Sequence, residues 1–168
     1  MSAPILDEDN AAFIQTGISI VAASRDDALV PSIARASGCR VSDDRRAVSI
    51  FTPLSQALQL VADLRASGRI AVVFSRPTTH RTLQLKADDA RVRNATPDEA
   101  AIVADYVDAF AREIGIMGHT AEQACAMFQF REDDLVAIDF TPHAAFEQTP
   151  GPKAGSCLLY TSPSPRDS

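Results

Sequence analysis

Lysine is nearly missing from this chain: Lys86 and Lys153 are the only two, and the rest of the positive charge is arginine. With a net charge of −6 and a pI near 5.0, the chain offers no basic face for nucleic acid or an anionic membrane. Cysteine is scarce as well. Cys39, Cys125 and Cys157 form no close pair, so neither a disulfide framework nor a zinc site follows from their spacing. His80, His119 and His143 lack ligand spacing to one another, to cysteine or to a carboxylate. Surface roles are expected for all three, and no metal site. Long apolar runs are absent too. The longest, such as 18–23 and 70–74, fall far short of the roughly 20 residues that span a bilayer. The first ten residues are acidic where a secretory leader would start basic and turn apolar, so a cytoplasmic location is expected. No glycine-rich phosphate loop and no internal repeat occurs.

What is present is an ordinary globular composition, 46% hydrophobic and 23% charged over 168 residues, enough for one domain with a real core. The arginine and alanine enrichment points to a GC-rich bacterial genome. The pattern along the chain predicts a short helix over 7–15 and a β-branched strand over 18–24. A turn at Arg25-Asp26-Asp27 joins that strand to a second over 29–37. Another turn at Asp43-Asp44 leads to a third strand over 47–51. Thr52-Pro53 ends the sheet pattern. Leu54, Ala57, Leu58, Val61 and Leu64 then recur at helical spacing up to Ser67-Gly68. A strongly apolar strand is predicted over 69–75 and one long strand over 80–93. Thr96-Pro97-Asp98-Glu99 forms a capping box that opens a helix running towards Gly115. Thr120 and Gln123 offer a second box for a short helix through Met127, on which Cys125 is expected to be a buried core thiol. A strand over 135–140 and a Pro/Gly-rich arm over 147–155 complete the native part. Antiparallel strands with a helix inserted after the third predict an α+β fold, a split antiparallel barrel with peripheral helices.

From Cys157 the chain reads Cys-Leu-Leu-Tyr-Thr-Ser-Pro-Ser-Pro-Arg-Asp-Ser. This looks like the in-frame translation of a transposon-type sequencing adapter. The expected division is a split-barrel domain over 1–156 and a non-native tail over 157–168, with the native C-terminus unknown.

Three stretches, in order, resemble the pyridoxamine 5′-phosphate oxidase-like superfamily of flavin-binding split barrels. They are the meander 18–51 leading through Thr52-Pro53 into the Leu54 helix, and the run Arg-Ile-Ala-Val-Val-Phe-Ser-Arg-Pro-Thr-Thr-His-Arg-Thr-Leu-Gln-Leu-Lys-Ala over 69–87. The third is the arm Phe146-Glu147-Gln148-Thr149-Pro150-Gly151-Pro152. The resemblance implies a homodimer with flavin mononucleotide (FMN) at the subunit interface and a small-molecule substrate oxidised or reduced by the flavin. It places Ser32, Arg35 and Ser37 near the phosphate and ribityl chain, and Phe51 and Thr52 near the ring. Ser55 and Gln56 would face the phosphate, with Arg81 and Thr82 on the long strand. Arms of this kind can close over the partner subunit's cofactor. A doubly charged phosphate calls for arginine, hydroxyls or a helix start, which these positions supply in part. The chain departs from the pyridoxamine-phosphate oxidases themselves, which open the helix with an Arg-Lys pair and close the second strand with Lys. Here Gln56-Ala57 and Ser37 stand in those places, so weaker phosphate binding is expected and that oxidase activity is not. A haem-binding or haem-handling barrel, and a sensor or stress protein without cofactor, remain open beside the flavin oxidoreductase. No catalytic side chain is named.

Overall fold

The computed structural model describes residues 3–158. Helix α1 (Glu8–Ile14) is capped by Asp7, whose carboxylate accepts the Asn10 amide, and it buries Phe13 and Ile14. Strands β1 (Ser19–Arg25) and β2 (Pro31–Ala36) form the expected hairpin, with inward residues alternating strictly along β2. Strand β3 (Cys39–Val41) was not anticipated; it pairs with β4 (Val48–Pro53). A 3-10 turn (Leu54–Gln56) precedes α2 (Leu58–Ser67), which Gly68 ends in the left-handed conformation. Strands β5 (Ile70–Ser75), β6 (Thr82–Ala87) and β7 (Arg91–Asn94) follow, then α3 (Pro97–Gly115) and α4 (Ala121–Met127). The last elements are β8 (Leu135–Phe140), β9 (Ala144–Glu147) and β10 (Ser156–Cys157).

Two antiparallel sheets result, in the orders β10-β9-β6-β5-β1-β2 and β3-β4-β8-β7. Their inner faces enclose a core that includes Ile20, Val72, Phe74, Leu83, Leu85, Ile50 and Ile138, all almost completely buried. Each such side chain contributes about 1.5–3 kcal/mol relative to exposure. Residue 38 joins the sheets. The chain runs from β2 into β3 through Gly38, whose φ of 141° disfavours any side chain. Around that corner the Ser37 amide donates to the Phe51 carbonyl at 2.7 Å, and the Phe51 amide donates to the Gly38 carbonyl.

Several sequence expectations need correction. The long strand over 80–93 is two strands in different sheets. Between them the Ala90 amide bonds the Gly68 carbonyl and Asp89 accepts the Thr141 amide, which turns the chain out of the first ladder. Thr52-Pro53 does not stop the sheet, because both pair with β8. The C-terminal arm is tied to its own sheet. The Gln148 amide bonds the Thr82 carbonyl, and β10 folds back on β9, so Cys157 lies opposite Phe146. The remainder of the expected tail, 159–168, lies outside the described residues. Cys125 is exposed rather than buried, since Ala124 takes the inward position on α4.

Both capping boxes form. Glu99 does more than cap. Its carboxylate is fully buried, accepts both Nη atoms of Arg93 and bonds Arg40, while Arg93 also reaches Asp139. These charge-assisted bonds hold the Glu99 carboxyl down at about 2. The network fastens the start of α3 to the outer side of the four-stranded sheet.

Candidate functional site

Alternation along β2 separates the residues expected to act together. Ser32 points inward, where its hydroxyl donates to the buried Asp63 at 2.6 Å; that bond ties α2 to the sheet. Arg35 points outward on the exposed edge strand, and Nη1 donates to Ser19 Oγ at 3.3 Å. Its guanidinium also lies 6.0 Å from the Phe128 ring centre. Where β2 and β4 meet, the Thr52 hydroxyl donates to the Arg35 carbonyl at 3.0 Å, bringing Arg35, Ser37, Phe51 and Thr52 into one corner. Phe51 itself is fully buried, packed with Val103, Leu135 and Ala137.

Ser55 and Gln56 are already engaged elsewhere. Asp134 accepts the Ser55 amide at 3.2 Å and its hydroxyl at 2.5 Å. Gln56 Nε2 donates to the Gln129 carbonyl. Arg81 is held by α1: Nη2 donates to Asp9 at 2.6 Å and to Asn10, and the guanidinium lies 4.1 Å from the centre of the Phe13 ring. Those contacts give Arg81 protein partners of its own.

A feature that motif reasoning missed crosses the outer face of the six-stranded sheet. Ser19 stands opposite Ser75, the Ser75 and Thr82 hydroxyls are 2.8 Å apart, and the Thr82 amide donates to Thr149 Oγ1 at 3.0 Å. Thr149 in turn hydrogen-bonds Glu147. This row of hydroxyls begins at Arg35 and ends at the folded-back arm. Directly below it run Val21, Val73, Gln84 and Phe146, one cross-strand neighbour after another. Strict alternation over β1 and β5 was the available signal, since it puts 19, 21 and 23 on the face opposite Ile20 and Ala22.

Comparison with solved structures places this architecture. The structure superposes on HupZ from Group A Streptococcus with a TM-score of 0.55 and 15% identity, covering 89% of this chain and 99% of the other. An F420 reductase gives 0.53 at 10% identity, with 83% and 98% covered. A Lactobacillus delbrueckii protein provisionally assigned as a pyridoxamine 5′-phosphate oxidase gives 0.51 at 11%, with 84% and 93% covered. The chain has the split-barrel fold of the pyridoxamine 5′-phosphate oxidase-like proteins. At these identities the fold is what is shared. No family model matches the chain, and no curated protein does.

Within this split barrel, the residues present fit the two ends of a flavin unequally. The hydroxyl row and Gln84 suit the polar edge of a flavin ring and its sugar-alcohol chain. At Ser55 a carboxylate already accepts the amide and hydroxyl that a phosphate would need, and a second anion beside Asp134 would be repelled. Arg35, by contrast, has no carboxylate partner in an ion pair among the described residues. The sulfur and phenol groups nearby do not offer acid–base chemistry. Burial pushes the Cys39 thiol and the Tyr106 hydroxyl well above their usual ranges, and Tyr106 spends its proton on the Ile18 carbonyl. Among the described residues no group of three or more histidine, cysteine or carboxylate side chains could hold a metal, and no helix is long and apolar enough to cross a membrane.

Proposed function

We propose that the protein is a homodimeric, flavin-binding oxidoreductase of the split-barrel type, acting on a small organic molecule. The observation that carries this reading is the outer face of the six-stranded sheet. It presents Val21 and Val73 side by side, both half-buried, with Ile33, which is 68% exposed, on the neighbouring strand. A flat apolar face bordered by hydroxyls and one arginine suits a second copy of the same face, with a cofactor lying along the polar border.

A bound flavin would supply the hydride-transfer chemistry. The chain's own residues would position it. Ser75, Thr82 and Gln84 would orient polar atoms at the ring edge, Ser19 the polyol chain, and Arg35 the phosphate. Burial of the face by the second copy would exclude water from the ring. Thr52 and Phe51 would act beneath, by fixing the backbone that carries Arg35.

The test is the visible absorption spectrum of the purified full chain before and after addition of FMN and of haemin, with light scattering for mass. A flavin band with a dimer mass supports the reading. A Soret band without a flavin band would replace it with haem handling, and a colourless protein binding neither would replace it with a cofactor-free sensor or stress role.

A further inference from the structure

Opposite the hydroxyl row, at the hairpin end of the same sheet face, lies a cavity of about 540 Å³. It is separated from Ser75 by the length of β5, about 17 Å at 3.4 Å per residue. Three cations ring it. Arg25 closes β1, the register of β1 on β5 continues to set Arg69 beside it, and Lys86 stands one strand further, opposite Ala71. Like charges directly opposed on neighbouring strands repel. Five other arginines, Arg40, Arg76, Arg81, Arg93 and Arg131, sit in ion pairs. Among the described residues Arg25, Arg69 and Lys86 are in none. The carboxylate lining the cavity, Asp88, lies 3.1 Å from His143 Nε2.

Apart from Ser24, whose hydroxyl donates to the Arg69 carbonyl, the rest of the lining is apolar. Ala23 and Ala71 make a floor of small side chains, and Leu29 makes the rim. Leu29 is 66% exposed and holds a φ of 66°, a conformation rare for a leucine, fixed by its amide donating to the Asp26 carbonyl. Small residues beneath an exposed leucine and beside three cations outside any ion pair make a slot with a positive end and a greasy body.

We propose that this cavity is a binding site for a small organic acid, an anionic head group on an apolar body. The head would lie between Arg25 and Arg69, where a guanidinium can take a carboxylate through two parallel bonds. The body would cover the alanine floor under Leu29. The volume is within the range of small-molecule sites. The inference stands independently of the flavin reading, because it uses none of the residues assigned there to the cofactor.

The experiment is calorimetric titration of the full chain with 4-phenylbutyrate, and with 4-phenylbutanol as the uncharged control. The expected result is saturable binding of the acid at least tenfold tighter than of the alcohol, weakening with added salt. Arg25→Gln with Arg69→Gln should reduce the acid's affinity at least tenfold while the thermal midpoint stays put. Lys86→Gln is the second variant, on a separate strand, should the double substitution disturb folding. Equal binding of acid and alcohol, or no binding of the acid, would overturn the proposal. So would displacement of the acid by FMN, which would make the cavity part of the flavin site.

Discussion

The two sheets of this barrel spend their outer surfaces differently. The four-stranded sheet is closed on its outer side by the start of α3, through the buried Glu99 carboxylate and the arginines around it. The outer face of the six-stranded sheet is a graded surface: hydroxyls and Arg35 at one end, half-buried small apolar residues in the middle, cations outside any ion pair at the other. One sheet uses its polar residues to hold the chain together. The other keeps them available. That difference is the reason we propose binding on the larger sheet.

The strongest way to break the contrast is at Glu99. Glu99→Gln removes the buried carboxylate charge that accepts from the partly exposed Arg93 and Arg40, and should lower unfolding free energy by about 2 kcal/mol in urea denaturation. The pH dependence has a definite sign. The folded carboxyl is held at about 2, below its ordinary 4.5, so its contribution is complete above 4.5 and is lost as pH falls towards 2. Acid titration of the wild type should show that loss, and the Glu99→Gln variant should lack it. Val73→Asp probes the other sheet. A charge in the centre of its outer face should weaken the proposed dimer at least tenfold while circular dichroism is unchanged; a monomeric wild type would remove the dimer instead. The smallest effects belong to the phosphate corner. Arg35→Ala should weaken FMN about tenfold but riboflavin hardly at all, whereas Asp134→Asn should tighten FMN about threefold by removing the negative charge beside Ser55. Fluorescence titration with both flavins reads the pair, and an unchanged ratio in either variant would take that residue out of the corner.

Local chemistry was the legible part of this structure. The capping boxes at Thr96–Glu99 and Thr120–Gln123, the left-handed stop at Gly68 and the β1–β2 hairpin each depend on neighbours within a few residues. What escaped depends on distant partners. The break between β6 and β7 follows from Gly68 and Thr141, and β9 exists because β6 offers it an edge. The candidate site divides in the same way. Arg35 and Thr82 could be placed by alternation, and they do lie on the outer face. That Ser32 would turn inward to Asp63, or that Asp134 and Asp9 would claim Ser55 and Arg81, is invisible until the chain is folded, because those partners lie far away in sequence. Cys125 shows the limit of composition: apolar neighbours on a short helix do not say which of them faces in.

The corner at Gly38 also sets a clock for synthesis. β4 finds β3 at once, but its other neighbour, β8, ends the second sheet's pairing with Ile50 set against Ile138. At roughly 5–20 residues per second, the ribosome leaves that edge open for several seconds after β4 emerges. Val48, Ile50 and Phe51 stand on it, and they are among the most deeply buried side chains of the finished molecule. The nascent chain therefore passes through an interval when its stickiest strand has one partner, and chaperone demand should peak before β8 has left the exit tunnel.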